Sequence, residues 1–131
     1  MPEADPRVRP RIVALALLVD VVCVLFFCTI GRRSHAEGLT VTGVLTTAWP
    51  FLTGTAIAWL SPTTWRRPTS LAPTGVLVWV CTVAVGMLLR KLSGQGTALS
   101  FVIVATLTTA ILLLGWRAGA TLRSRRSPSV R

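Results

Sequence analysis

Four long apolar runs constrain this chain more than any other feature of its sequence. They cover residues 12–30, 40–60, 71–89 and 97–116. Each run holds about 20 residues, and a helix of that length, rising ~1.5 Å per residue, crosses the ~30 Å hydrocarbon core of a bilayer. Strands are usually shorter, and lipid admits only helices or closed barrels. The sequence therefore predicts an all-α polytopic membrane protein with four transmembrane helices arranged as two hairpins.

The composition supports this class. Apolar residues make up 52% of the 131 residues and charged residues only 14%, whereas soluble domains average about 25% charged residues. The formal net charge is +10, and the basic residues lie in short clusters between the apolar runs and at the two ends of the chain. This pattern argues against a soluble enzyme domain, a disordered tail and a disulfide scaffold.

The basic residues predict an orientation. With the N-terminus inside, ten of them lie on the inner side: Arg7, Arg9, Arg11, Arg66, Arg67, Arg117, Arg123, Arg125, Arg126 and Arg131. Four lie on the outer side: Arg32, Arg33, Arg90 and Lys91. The positive-inside rule then predicts a multi-pass protein of the cell membrane with both termini in the cytoplasm.

The ends of the chain flank a membrane domain at residues 12–116. Residues 1–11 are rich in proline and charge and are expected to form a disordered cytoplasmic N-terminus. Residues 117–131 are expected to form a basic cytoplasmic tail. That tail either fixes the topology or also binds anionic lipid headgroups, which contribute about 1 kcal/mol per basic residue near the surface. Nucleic-acid binding is not expected, because no folded basic surface with base-reading side chains is indicated.

Several short strings are distinctive. They are GRRSH at 31–35, TAWPF at 47–51, GMLLR at 86–90 and GQGT at 94–97, followed by Ser100 and Phe101. Together with an acid at Asp20 and four spans, they resemble DUF3054, a family of small bacterial membrane proteins of unknown function. The resemblance implies four membrane helices and brings no activity, ligand or catalytic residue with it.

Asp20 lies at the centre of the first run. A central Asp costs roughly 2.5–3.5 kcal/mol on the insertion scale, and Leu, Ile, Val and Phe each return about 0.3–0.6 kcal/mol. The run holds thirteen such residues, so the segment is expected to insert. An acid at this depth must be protonated, paired or exposed to a wet cavity.

Matching depths across the four runs suggests neighbours for Asp20. The expected layer contains a helix-breaking proline, hydroxyls and two indoles: Thr46, Trp49, Pro50, Trp79 and Thr82. One hypothesis is that this layer binds a proton or an organic cation, with the indole faces supplying cation–π contacts. The other is that Asp20 is structural and forms hydrogen bonds that hold the helices together. The sequence leaves both open.

The outer turns form a second candidate site, for an anion or a lipid headgroup. Its residues are Arg32, Arg33, His35, Arg90, Lys91, Gly94, Gly96 and Thr97. Basic side chains and the start of the fourth helix favour an anion there. The alternative is that the glycines serve a tight turn and the arginines extend to lipid headgroups.

Small residues recur at spacings of three and four in the second and third runs, which predicts close helix packing. They are Gly43, Thr47, Pro50, Gly54 and Ala58 in the second run, and Gly75, Thr82 and Gly86 in the third. No metal or cofactor is expected, because His35 is the only histidine and the three cysteines lie within apolar runs. No catalytic constellation is visible, so an enzyme is not expected.

Two functions remain as hypotheses. The first is a structural or interaction role in the membrane, as a homo-oligomer or with another membrane protein. The second is proton-coupled cation transport through Asp20. The architecture for it is similar to that of the small multidrug-resistance transporters, which also have four helices and one acid in the first helix. Those transporters carry Glu at that point and little basic bias, whereas the ten-to-four bias here fixes one orientation.

Overall fold

The computed structural model describes residues 8–33, 40–95 and 98–126, and in this part of the chain every regular element is helical. The helices are α1 (Val8–Arg33), α2 (Val41–Ala58), α3 (Pro62–Arg66), α4 (Val76–Leu92), α5 (Leu99–Thr109) and α6 (Gly115–Arg126). Four segments are long and apolar enough to cross a membrane: Pro10–Gly31, Val41–Ala58, Leu71–Leu92 and Leu99–Arg123. The predicted all-α fold with four spans is confirmed.

The fourth span is one continuous rod made of α5, a π-helical turn at Ala110–Leu114, and α6. It continues to Arg126, so residues 117–126, which we expected in a basic tail, extend the helix instead. Residues 127–131 of that tail and residues 1–7 of the N-terminus lie outside the described residues.

The π turn keeps one face of the fourth span directed at the other helices. The buried residues of the fourth span recur at every fourth position: Ala105, Thr109, Leu113 and Arg117. A four-residue step overshoots one α-helical turn by ~40°, so three steps would rotate the face by ~120°. The wider π turn takes up roughly one extra residue and offsets part of this drift. Arg117 therefore faces the interior of the bundle.

The connection from α2 to α4 folds back onto the end of the bundle. The Thr64 hydroxyl donates to the Ala58 carbonyl at 2.8 Å, and the Trp65 indole donates to the Trp59 carbonyl at 2.6 Å. A five-residue turn, Leu71–Gly75, then leads into α4, and its Ala72–Pro73 peptide bond is cis. The connection is thus bonded to the end of α2 at two points.

Helices α2 and α4 form the most extensive contact in the bundle. Gly54 lies against the backbone of Cys81 and Thr82, and Gly86 lies against the ring of Phe51. The Thr55 and Thr82 hydroxyls share a buried hydrogen bond of 2.7 Å between these helices. The close packing predicted from the small residues is confirmed at Gly54 and Gly86, because neither position has room for a side chain.

An aromatic cluster fills the core on the side of the bundle away from the α2–α4 connection. Phe27, Phe51 and Phe101 come from three different helices, and their ring centroids lie 5.4 to 6.3 Å apart. The rings of Phe27 and Phe51 meet edge to face, an arrangement that aromatic pairs favour. This cluster packs α1, α2 and α5 together through ring contacts.

The α2–α4 contact predicts different effects for two Gly→Ala substitutions. Gly54→Ala should destabilise the fold by about 1–3 kcal/mol, because the new methyl group would overlap the Cys81 carbonyl oxygen. Gly119→Ala is the control, since nothing lies within 4 Å of that position, and alanine there should stabilise α6 by about 0.5–1 kcal/mol. Thermal unfolding in detergent measures both. Equal midpoints for the two variants would contradict the proposed packing.

Candidate functional site

Asp20 lies in the middle of the first span, and its carboxylate is completely buried. Arg117 binds it with both terminal nitrogens, as Nη1 donates to Oδ1 and Nη2 to Oδ2, each at 2.7 Å. This two-point geometry is the strongest form of an arginine–carboxylate contact. Arg117 is also completely buried. The first and fourth spans are therefore joined by an ion pair withdrawn from solvent.

Two indoles complete the coordination of the carboxylate. Trp59 Nε1 donates to Oδ2 and Trp116 Nε1 donates to Oδ1, each at 2.9 Å. Trp59 directly follows α2 as its C-cap residue, and Trp116 precedes Arg117 in α6. We call Asp20, Trp59, Trp116 and Arg117 the Asp20 cluster. Three of the four spans contribute a side chain to it.

Arg117 also holds the connection between α2 and α4. Its Nε donates to the Pro68 carbonyl at 3.0 Å, and its Nη1 donates to the Leu113 carbonyl at 3.3 Å. The guanidinium carbon lies 4.5 Å from the centre of the Trp116 ring, within cation–π range. Through this one side chain the Asp20 cluster links α1, α6 and the α2–α4 connection.

The structure places the residues expected around Asp20 elsewhere. Thr82 bonds to Thr55, and Trp79 Nε1 donates to the Thr106 carbonyl at 3.1 Å. Trp49 is exposed at the surface of the bundle. Among the described residues, the side chains that donate to Asp20 are instead Trp59, Trp116 and Arg117.

Pro50 and Thr46 belong to a different level of the bundle. Pro50 lies buried within an unbroken α2 and has no N–H for the Thr46 carbonyl four residues earlier. Gln95, at the far end of α4, donates to that carbonyl at 3.3 Å. Asp20 is therefore level with the end of α2 at Trp59, not with its middle, because the spans are offset along the bundle. Matching the centres of the runs could not detect this offset.

Sequence reasoning missed Trp59, Trp116 and Arg117 as partners of Asp20, although two signals were present. A charged acid at this depth needs a partner or a wet cavity, and Arg117 lies only four residues beyond Leu113, which the structure buries. Arg117 was instead assigned to a tail because it directly follows the last apolar run.

The second candidate site is described only in part. Arg90 Nη1 donates to Gln95 Oε1 at 2.9 Å, and its guanidinium carbon lies 4.2 Å from the centre of the Phe101 ring. Lys91 is exposed, and Gly94 has φ +83°, a backbone conformation that favours glycine. The structure thus brings Arg90, Lys91 and Gly94 to one end of α4.

The remaining members of that set are not described. His35, Gly96 and Thr97 lie outside the described residues, as do the side chains of Arg32 and Arg33. Within residues 8–33, 40–95 and 98–126, no group of three or more His, Cys, Asp or Glu side chains could hold a metal ion. The Asp20 cluster is therefore the site whose geometry supports an argument.

Comparison with known proteins gives one match. A family model described as "Protein of unknown function (DUF3054)" matches residues 17–120. The chain belongs to this family. No curated protein and no solved structure matches the chain. The matched region includes all four residues of the Asp20 cluster, and the family's description assigns them no activity.

The Asp20 cluster predicts strong coupling between Asp20 and Arg117. Asp20→Asn or Arg117→Met alone should each destabilise the fold by about 3–5 kcal/mol, because each leaves one buried charge without its partner. The double variant should recover about 2 kcal/mol or more of the combined loss. Equilibrium unfolding in lipid–detergent micelles gives all the values needed. Additive effects of the two substitutions would show that the residues do not interact.

Proposed function

We propose that this chain is a non-catalytic protein of the bacterial cell membrane with a structural or interaction role, acting with further copies of itself or with another membrane protein. In this proposal Asp20 holds the bundle together and does not carry a proton or a cation through it. The proposal rests on how completely the Asp20 carboxylate is occupied.

The carboxylate has no acceptor position left for a transported ion. A carboxylate offers about four lone-pair sites, and Asp20 accepts from two Arg117 nitrogens, Trp59 and Trp116. A transport acid needs access to the ion that it releases and rebinds. The observed arrangement favours a permanent structural contact.

Proton-coupled cation transport through Asp20 is the competing hypothesis, and it carries an energetic cost. A cation or proton that displaced Arg117 would leave a completely buried guanidinium unpaired. Breaking a buried ion pair in this way typically costs about 3–5 kcal/mol. Displacing Arg117 would also disturb the hydrogen bond from its Nε to the Pro68 carbonyl. Each transport cycle would have to supply this energy when the pair opens, before the pair forms again.

The orientation with both termini in the cytoplasm is part of the proposal. Arg117 pairs with Asp20 and so contributes little free charge to the topology signal. The remaining basic residues still favour the side that carries Arg66, Arg67 and Arg123. Trp65, exposed on α3 at the same end of the bundle, has the amphipathic character of an interfacial residue.

Labelling with an apolar carbodiimide tests the role of Asp20 directly. The reagent enters lipid and reacts with protonated, accessible carboxyl groups, so wild-type Asp20 should stay unlabelled from mildly acidic to mildly alkaline pH. Arg117→Gln should make Asp20 reactive, because the carboxyl then has no cationic partner. Mass spectrometry of the peptide containing Asp20 gives the extent of labelling.

One control and one contrary result make this experiment decisive. Asp20→Asn must abolish labelling of that peptide and so identifies the reacting group. Labelling of wild-type Asp20 at neutral pH that small organic cations suppress would refute the structural role and support transport.

Reporter fusions test the orientation. Fusions after Arg131 and within residues 34–38 should report opposite sides of the membrane, the first in the cytoplasm, because the basic bias orients the whole bundle. A phosphatase reporter active outside the cytoplasm and a fluorescent reporter active inside it distinguish the two sides. A phosphatase active after Arg131 would contradict the orientation.

A further inference from the structure

A groove lies beside the Asp20 cluster, at the end of the bundle that carries Arg67 and Arg123. Its volume is about 470 Å³, within the range of small-molecule sites. One wall is the turn that precedes α4 and the other is a face of α6. The lining residues are Ser70, Leu71, Ala72, Ala118, Thr121 and Leu122.

The two walls are held in place by the side chain that pairs with Asp20. Arg117 lies in α6 and bonds to the Pro68 carbonyl, two residues before Ser70. Gly75, which ends the turn, lies against the Arg117 and Leu114 side chains, where a Cβ would have only 3.0 Å. The groove is therefore a fixed feature of the bundle and not a gap between two independent segments.

The groove is lined mainly by apolar surface and lies at the level where the third span begins and the fourth ends. The third span begins at Leu71, and the fourth ends at Arg123. Leu71 and Leu122 line the groove and are 41% and 58% exposed. At this depth a bilayer presents the boundary between acyl chains and headgroups, so the natural occupant has an apolar chain and a polar head.

The charge around the groove selects the head. Arg123 follows the lining residue Leu122, and Arg67 is joined to Ser70 by a backbone hydrogen bond of 3.2 Å. Both arginines are exposed. Asp20 is the only acid among the described residues, and it is completely buried. The exposed surface near the groove thus favours an anionic group, with the Ser70 and Thr121 hydroxyls beside it.

We propose that this groove binds an anionic phospholipid, with an acyl chain between α6 and the turn at Ser70–Ala72 and the phosphate at Arg67 and Arg123. This inference holds whether Asp20 is structural or carries an ion, because it concerns the lipid-facing side of the same end. The sequence suggested lipid contact through the basic tail as a whole, whereas the groove is a defined site for one lipid.

Native mass spectrometry can test the site. The full-length protein is reconstituted in nanodiscs with equal amounts of phosphatidylglycerol and phosphatidylcholine of identical chains, and the retained lipids are counted. The wild type should retain phosphatidylglycerol preferentially. Arg67→Gln with Arg123→Gln should lower its affinity about fivefold for each arginine. Arg67→Lys with Arg123→Lys should keep the preference, because the charge remains.

Matched controls separate this site from a general charge effect. Arg11→Gln removes an exposed base of α1 that does not line the groove and should leave retention unchanged. Ala118→Trp fills the groove and should reduce lipid retention, whereas Ala84→Trp, at an exposed position of α4, should not. Circular dichroism and size-exclusion profiles verify that each variant is folded.

Four results would overturn the proposal. Three of them are unchanged phosphatidylglycerol retention in the double glutamine variant, an equal loss in Arg11→Gln, and equal retention in Ala118→Trp and Ala84→Trp. Glycerol phosphate without acyl chains that bound as tightly as the lipid would also contradict it, since the groove would then contribute nothing. None of these results alters the carbodiimide test of Asp20, so the two proposals can fail separately.

Discussion

A carboxylate in the middle of a membrane span must be neutralised, and most of this structure follows from the way Asp20 meets that requirement. The charge is balanced by Arg117, and the remaining acceptor positions are filled by the indoles of Trp59 and Trp116. Because a buried charge without its partner is strongly unfavourable, the four side chains can be satisfied only when three spans are correctly placed. The Asp20 cluster thus selects one arrangement among those that the apolar surfaces alone would permit.

The same requirement shapes the surrounding backbone. The π turn at Ala110–Leu114 rotates α6 so that Arg117 faces inward, and α2 ends at Ala58, which places Trp59 level with Asp20. Arg117 then holds the Pro68 carbonyl and with it one wall of the groove. Farther along the bundle, packing relies on shape, at Gly54 and Gly86 and among the phenylalanine rings. The Asp20 cluster therefore fixes one end of the bundle by ionic and hydrogen bonds, and close packing joins α2 to α4 around the Thr55–Thr82 hydrogen bond.

The sequence predicted the fold class and close packing at the small residues of the second and third runs, because span length and small-residue spacing are properties of a single segment. It did not predict the Asp20 cluster, because pairing depends on the offset between spans and hydropathy carries no information about that offset. Aligning the centres of the runs placed Asp20 beside Pro50 and Thr82, whereas the structure places it beside Trp59. Arg117 was assigned to the tail because an arginine after an apolar run usually marks the membrane surface; its pairing with Asp20 is what allows it inside.

The contact between Asp20 and Arg117 can be measured directly in a lipid bilayer. The chain has only two aspartates, so Asp5→Asn leaves Asp20 as the single aspartate that isotope labelling can reach. Solid-state NMR can then measure the dipolar coupling between its ¹³C-labelled Cγ and ¹⁵N-labelled arginine side chains. We predict strong coupling to two guanidinium nitrogens, as two contacts of 2.7 Å require, and its loss in Arg117→Lys. No coupling in the Asp5→Asn protein would contradict the account.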